Sequence, residues 1–151
     1  HEAFCDRLKA AGGQGYIIAD LPVEDAHELD AYAGSQGLDP VHIMTPLNAE
    51  PRLKQIAATA SGFVYCVARK GVTGNETRFD DSLKAYIERC RQATDLPLAM
   101  GFGIRSADNV RQLRGMVDIA IVGTACLEVW EKQGKSGYRA FLDELVAAAE
   151  R

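Results

Sequence analysis

Five short apolar runs, separated by segments with helical periodicity, constrain the fold of this chain more than any other feature. The runs occupy residues 16–19, 41–44, 63–68, 98–100 and 118–122 of 151. They do not alternate polar with apolar residues, which is typical of strands that are covered on both faces of a parallel sheet. Short strands that alternate with helices form βαβ units. The sequence therefore predicts an α/β fold with a parallel sheet.

Seven segments carry the pattern of helices. They are residues 2–11, 24–36, 50–60, 81–93, 107–114, 125–132 and 137–150. Gly12-Gly13 and Gly37 end the first two. Ser106 is predicted to cap the helix that follows it, because a serine hydroxyl accepts a free N–H there. Elements in this order fit either a doubly wound sheet or a stretch of a (β/α)8 barrel.

Three glycine-bearing turns distinguish these two architectures. They are Lys70-Gly71-Val72-Thr73-Gly74, Gly101-Phe102-Gly103-Ile104 and Gly123-Thr124-Ala125. Glycine lets a backbone approach a ligand closely, and N–H groups at a helix start attract anions. A phosphate site built from loops after the last strands and from the start of a short extra helix is the barrel arrangement. The turns therefore predict a barrel that binds a phosphorylated small molecule.

The chain is short for a whole barrel. A complete (β/α)8 barrel usually takes about 250 residues, whereas five βα units account for the 151 residues of this chain. Residues 1–151 are thus predicted to form a single, incomplete TIM-barrel domain with about the last five βα units. Its sheet would expose two edges, at residues 16–19 and 119–122, and exposed edges recruit another chain. We expect a homodimer that forms through these edges.

Composition and charge exclude several classes of function. The formal net charge is −4 and the isoelectric point is near 5.4, and no basic stripe indicates a nucleic-acid-binding surface. No apolar run approaches the roughly 20 residues that span a membrane. The four cysteines lack CxxC spacing and form no zinc pattern with the histidines. They are predicted to be reduced thiols in a cytoplasmic protein.

Three further residues or motifs have plainer alternative interpretations. Gly101-Phe102-Gly103 looks like the start of a dinucleotide fingerprint, but Ser106 stands where the third glycine belongs. His42, in an apolar strand, is predicted to be a packed or surface histidine rather than a catalyst. Asp20 remains open between a turn former before Leu21-Pro22 and a residue of the active face.

Together the motifs resemble the alpha subunit of tryptophan synthase. The residues that carry the resemblance are Ile17-Ile18-Ala19-Asp20-Leu21-Pro22, the segment from Tyr65 to Gly74, Gly101-Phe102-Gly103-Ile104 and Ile121-Val122-Gly123-Thr124-Ala125. Their order and spacing agree over essentially the whole chain. The resemblance implies cleavage of indole-3-glycerol phosphate to indole and glyceraldehyde 3-phosphate, without a cofactor in this subunit. It also implies a pyridoxal-phosphate beta subunit as partner.

The resemblance implies roles for individual residues as well. Gly74, Gly103, Gly123 and Thr124 match positions that bind phosphate. The family more usually has serine at the last of these, and threonine keeps its hydroxyl donor. The positions that match residues lining the substrate pocket are Ile17, Ala19, Ile43, Tyr65, Thr73 and Phe102. Asp20 matches a residue that faces the beta subunit.

The acid–base carboxylates of the family match no residue of this sequence. The reaction needs one proton delivered to the indole ring and another removed from a hydroxyl, which requires positioned carboxyl groups. By resemblance these are a glutamate and an aspartate on the second barrel strand and its loop, so we expect them before residue 1. We therefore expect this chain alone to be inactive. Alternatives are a non-catalytic, self-associating half-barrel that binds phosphate, and another barrel enzyme for phosphorylated sugars or indoles.

Overall fold

The computed structural model describes residues 1–68, 80–101 and 103–150. The helices in these ranges are α1 (Glu2–Ala10), α2 (His27–Ser35), α3 (Glu50–Thr59), α4 (Asp81–Ala93), α5 (Ala107–Leu113) and α6 (Thr124–Ala149). The strands are β1 (Gly15–Tyr16), β2 (Asp39–Pro40), β3 (Ile43–Met44), β4 (Val64–Val67), β5 (Leu98–Gly101) and β6 (Ile119–Ala120). Helices and strands alternate as the sequence pattern predicts, except that β2 and β3 follow one another without a helix between them.

The strand pairs are parallel, and paired strands follow one another along the chain. β1 pairs with β2, and a second sheet has the order β3-β4-β5-β6. Hydrogen bonds join the two sheets, because the Val41 N–H donates to the Tyr16 carbonyl at 2.9 Å and the Tyr65 N–H donates to the His42 carbonyl at 3.0 Å. β2 and β3 are thus two halves of one extended segment. The predicted parallel α/β fold of a partial barrel is confirmed.

One face of the sheet packs against the helices. Met44, Cys66 and Met100 lie in register on β3, β4 and β5 and are fully buried. They belong to a hydrophobic core that also contains Leu53 of α3 and Tyr86 of α4. Successive side chains of a strand point to opposite faces. These residues therefore define the face that the helices cover.

The opposite face carries a second row of aligned residues. Ile43, Tyr65, Ala99 and Ile119 pair across β3, β4, β5 and β6. Ile119 is 38% exposed, and Ile17, one residue beyond β1, is 43% exposed. In a barrel this face lines the interior, and we call it the inner face.

Several element boundaries differ from the sequence prediction. The predicted strand 16–19 ends at Tyr16, because a turn begins at Ile18, whose carbonyl accepts the Leu21 N–H at 3.3 Å. The predicted helix 24–36 begins at His27, after a turn. The two predicted C-terminal helices form one element, α6, which is kinked at Gly134 with φ 65° and ψ −163°. This backbone conformation is essentially restricted to glycine, so the predicted break is present as a kink.

Candidate functional site

Two glycine turns follow neighbouring strands at one edge of the sheet. Gly103 lies just beyond β5, and Gly123 lies just beyond β6. The two strands are paired, and the Ile121 N–H extends the pairing by donating to the Met100 carbonyl at 2.8 Å. Both turns therefore begin side by side at the carboxyl ends of parallel strands, which is where barrels bind their ligands.

The backbone of the turn after β5 requires a glycine. Gly103 has φ 80°, in the left-handed region that L side chains rarely adopt. The adjacent Ser106 begins α5 as predicted, since its hydroxyl accepts the Asn109 N–H at 3.3 Å. The N-terminus of α5 is thus capped by the Ser106 side chain.

The N-terminus of α6 differs from that of α5. Gly123 is the N-cap residue of α6 and supplies no side-chain cap. Its carbonyl accepts the N–H groups of Cys126 and Leu127, at 2.9 and 3.3 Å. The N–H groups of Thr124 and Ala125, in the first turn, have no acceptor within the helix. Unpaired N–H groups at the start of a helix favour an anion.

An ion pair joins the residue after the Gly101–Ile104 turn to α6. The guanidinium of Arg105 donates from Nη2 to both carboxylate oxygens of Glu128 on α6, at 2.7 and 2.6 Å. The Arg105 side chain is 29% exposed and that of Glu128 is 38% exposed. The hydrogen bond from Arg105 holds the pKa of the Glu128 carboxyl below its ordinary value. The pair is therefore charged at neutral pH.

Tyr65 lies on the inner face, close to the backbone of β5. It pairs directly with Ile43, so these two predicted pocket residues are neighbours. A Cβ added to Gly101 would lie 1.8 Å from the Tyr65 hydroxyl oxygen. Burial raises the pKa of the Tyr65 phenol. The Tyr65 ring thus occupies the space that a side chain at Gly101 would fill.

Ala19, Asp20 and Ile43 share a cavity of about 260 Å³. Leu21, Pro22 and Thr45 are among its other lining residues. Ile17 lines a different groove, of about 500 Å³, together with Val41 and Phe63. The structure therefore brings Ala19, Asp20 and Ile43 together and Ile43 beside Tyr65, but it does not put Ile17 in the same cavity.

Three predicted site residues lie outside the described residues. They are Thr73 and Gly74, in the first glycine turn, and Phe102, in the second. The roles predicted for them, like those of the other site residues, remain predictions.

A buried polar cluster was not apparent from the sequence. Asp30 of α2 accepts hydrogen bonds from the Tyr16 hydroxyl at 2.7 Å and contacts His42 Nε2 at 2.7 Å. The side chains of Asp30 and His42 are each 9% exposed. Burial and the hydrogen bond to Asp30 raise the pKa of Tyr16. His42 is packed between sheet and helix, as predicted, and no sequence signal identifies Asp30 as its partner.

The remaining predicted features concern cysteines, metals and membranes. The four cysteines are free, as predicted. Within the described ranges, no three His, Cys, Asp or Glu side chains cluster as metal ligands. The helices in the same ranges include none that is long and apolar enough to cross a membrane.

The family model that matches this chain is described as the tryptophan synthase alpha chain and covers residues 1–150. The chain is 42% identical to the tryptophan synthase alpha chain of Desulforapulum autotrophicum over 142 residues. These residues cover 94% of this chain and 56% of that one. The alpha chain of Chloroflexus aggregans is 42% identical over 154 residues, with coverage of 99% and 58%. The chain thus spans somewhat more than half the length of the curated relatives it matches.

Solved structures resemble the fold over nearly the whole chain. A Mycobacterium tuberculosis tryptophan synthase matches with a TM-score of 0.89 and 30% identity, covering 99% of this chain and 57% of that one. The tryptophan synthase a2b2 complex of Pyrococcus furiosus matches with a TM-score of 0.83 and 27% identity, covering 97% and 60%. Both matches agree with a partial barrel.

Proposed function

This chain belongs to the tryptophan synthase alpha chain family, and we propose that it forms the phosphate-binding part of an indole-3-glycerol phosphate lyase subunit. The family acts in tryptophan biosynthesis, and its alpha subunit cleaves this substrate to indole and glyceraldehyde 3-phosphate. We expect the subunit to work in the cytoplasm with a pyridoxal-phosphate beta subunit.

The observation that carries the proposal is the pair of glycine turns at the carboxyl ends of β5 and β6. Gly103 is held at φ 80°, and the first turn of α6 has no side-chain cap. Backbone N–H groups at such a helix start bind a phosphate through charge-assisted hydrogen bonds. Gly123 and Thr124 belong to the same start, and we propose that Gly74 completes the phosphate site.

The inner face supports an aromatic ligand beside that phosphate site. Ile43 and Tyr65 are neighbours on this face, and Tyr65 reaches across Gly101 toward the edge that carries the glycine turns. We propose that the indole ring packs on this surface, with Ile17, Ala19, Thr73 and Phe102 as further lining residues. Apolar walls with few polar groups are typical of such pockets.

We propose that the proton-transfer groups come from outside these 151 residues. Cleavage requires one carboxyl group that protonates the indole ring and another that removes a hydroxyl proton. By resemblance, no residue of this sequence matches either. The role of this chain is then to hold the phosphate and orient the indole, which brings the reacting bond to the carboxyl groups of a complete barrel.

Asp20 is the residue that we propose to face the beta subunit. It is exposed in a turn after β1 and lines the cavity that Ala19 and Ile43 share. Asp20 thus borders both this cavity and the protein surface. We propose that this position allows it to contact a partner that receives the indole. The Pyrococcus furiosus relative is an a2b2 complex, and this chain is proposed to bind its partner in the same way.

A binding experiment tests the phosphate site. Gly103→Asp introduces a carboxylate that repels a phosphate dianion, and it should weaken glycerol 3-phosphate binding at least about 30-fold. Gly115→Asp is the matched control, because Gly115 also has positive φ, 73°, but precedes β6 at the opposite end of the sheet. Calorimetric titration of both variants should show the loss in Gly103→Asp alone. Equal affinities in the two variants would defeat the assignment.

The exposed inner face favours a second candidate, a non-catalytic half-barrel that binds phosphate and self-associates. Ile17 and Ile119 leave apolar surface exposed at both sides of the sheet. The two candidates differ in activity when the amino-terminal part of a related alpha chain is supplied separately. Indole release from the mixture supports the lyase subunit. Phosphate binding without indole release supports the module, and activity of this chain alone contradicts the proposed source of the carboxyl groups.

A further inference from the structure

The loop after β5 is tied to two helices by a single residue. The Arg105 N–H donates to the Asn109 side-chain oxygen on α5 at 2.9 Å. Its guanidinium holds both oxygens of Glu128 on α6, at 2.6 and 2.7 Å. Arg105 therefore holds the loop against α5 through its backbone N–H and against α6 through its side chain.

These contacts bear on the relative position of the two glycine turns. Gly103 is two residues before Arg105, and Glu128 is one turn after Thr124 on the same helix face. A shift of α6 along its axis, or of the loop away from α6, would break the ion pair. The spacing between the Gly103 backbone and the N–H groups that begin α6 is therefore coupled to this pair.

We propose that Arg105, held by Glu128, is a positioning residue that sets the spacing of the phosphate-binding turns for a phosphate monoester. The proposal rests on the proposed function and deepens it. We assign Arg105 a role through Glu128 rather than as a ligand, because Nη2 of its guanidinium donates to both oxygens of that carboxylate. The pair also cancels the negative charge of Glu128, which otherwise lies close to the bound dianion and repels it.

Two substitutions separate positioning from direct binding. Arg105→Met keeps the apolar stem but releases α6 and leaves Glu128 uncompensated. Glu128→Gln removes the carboxylate charge opposite Arg105 but keeps the Arg105 guanidinium, so direct binding of phosphate by Arg105 would not be weakened. Positioning predicts that both weaken phosphate binding, Arg105→Met by about tenfold or more and Glu128→Gln by a smaller factor, and that the double variant resembles Glu128→Gln.

A second ion pair provides the matched control. Arg91 binds Asp118 at 2.7 Å, and Asp118 also accepts the Leu98 N–H at 2.8 Å. This pair lies at the amino ends of β5 and β6, opposite the glycine turns. Arg91→Met removes a comparable, partly exposed pair, between α4 and the residue before β6, so it should leave phosphate affinity within about twofold of the unchanged chain.

The experiment is calorimetric titration of the chain and its variants with inorganic phosphate and glycerol 3-phosphate, with a thermal melt of each. We expect weaker binding in Arg105→Met and Glu128→Gln, recovery in Arg105→Lys, and no change in Arg91→Met. Tighter or unchanged binding in Glu128→Gln overturns the positioning role. If the unchanged chain binds neither ligand, the proposed function fails and this proposal fails with it. Binding that survives in all variants contradicts the positioning role alone.

Discussion

Gly101 provides the space in which the Tyr65 ring lies. A side chain at this position would begin 1.8 Å from the Tyr65 hydroxyl oxygen and 2.5 Å from the ring carbon that bears it. Both distances are far below van der Waals contact, so the ring and a Cβ exclude each other. The glycine therefore determines the direction of an aromatic side chain on the inner face, at the boundary between the proposed indole and phosphate sites.

Gly101→Ala should weaken binding of indole-3-glycerol phosphate about tenfold while leaving inorganic phosphate binding within about twofold. The ring must rotate off its present position, and since it borders the open inner face the loss of stability should be about 1 kcal/mol. Titration with the two ligands measures the difference. In a Tyr65→Leu background the same substitution should have little further effect. A full additional loss in that background would show that Gly101 acts by another route.

Single residues differ in how far the sequence predicts them. Gly103 and Gly134 are predictable, because their positive φ angles are a property of glycine itself. Asp30 and Glu128 are not, since their partners lie 12 and 23 residues away and depend on how helices pack on the sheet. Patterns within one element do not carry that information.

At the scale of elements, α2 is attached to the sheet through Asp30. This carboxylate contacts Tyr16 on β1 and His42 between β2 and β3, each at 2.7 Å. The segment from β1 to β3 has short strands, whose ladders add few hydrogen bonds. The polar cluster therefore contributes to the alignment of β1 with the rest of the sheet.

Asp30→Ala should lower the free energy of unfolding by about 3 kcal/mol, because it leaves His42 and the Tyr16 hydroxyl without their buried partner. Urea denaturation measures the change. Asp108→Ala is the control, since Asp108 forms an ion pair with Arg111 but its side chain is 79% exposed. That substitution should cost less than about 1 kcal/mol. Similar losses in the two variants would contradict a structural role for the buried cluster.

Element types follow the sequence more closely than element ends do. The strongest predicted strand, 63–68, contains β4, and the helix predicted at 81–93 matches α4. β1 is shorter than its apolar run because the turn at Ile18 ends it early. Hydrophobicity determines which segments become buried, whereas local hydrogen bonds determine where each segment stops.

At the scale of the whole molecule, the two faces of the sheet are unequal. The outer face is covered by helices around Met44, Cys66 and Met100. The inner face keeps exposed isoleucines near both lateral limits of the described sheet, Ile17 beyond β1 and Ile119 in β6. The alternation of strands and helices predicts the first face, since parallel sheets need a helical layer. The same alternation predicts that the inner face must be buried by further protein, but it does not predict which chain buries it.

We expect the 151-residue chain to self-associate at micromolar concentration through the inner face and its two edges, because exposed strand edges and apolar surface favour pairing with another chain. Ile119→Lys should shift the chain toward monomer in analytical ultracentrifugation, since it places a charge on the apolar edge. Val146→Lys is the control: Val146 is 59% exposed on α6, away from the inner face. A monomeric unchanged chain with a cooperative melt would contradict the prediction. So would dissociation caused by Val146→Lys but not by Ile119→Lys, which would move the interface from the sheet to the helix.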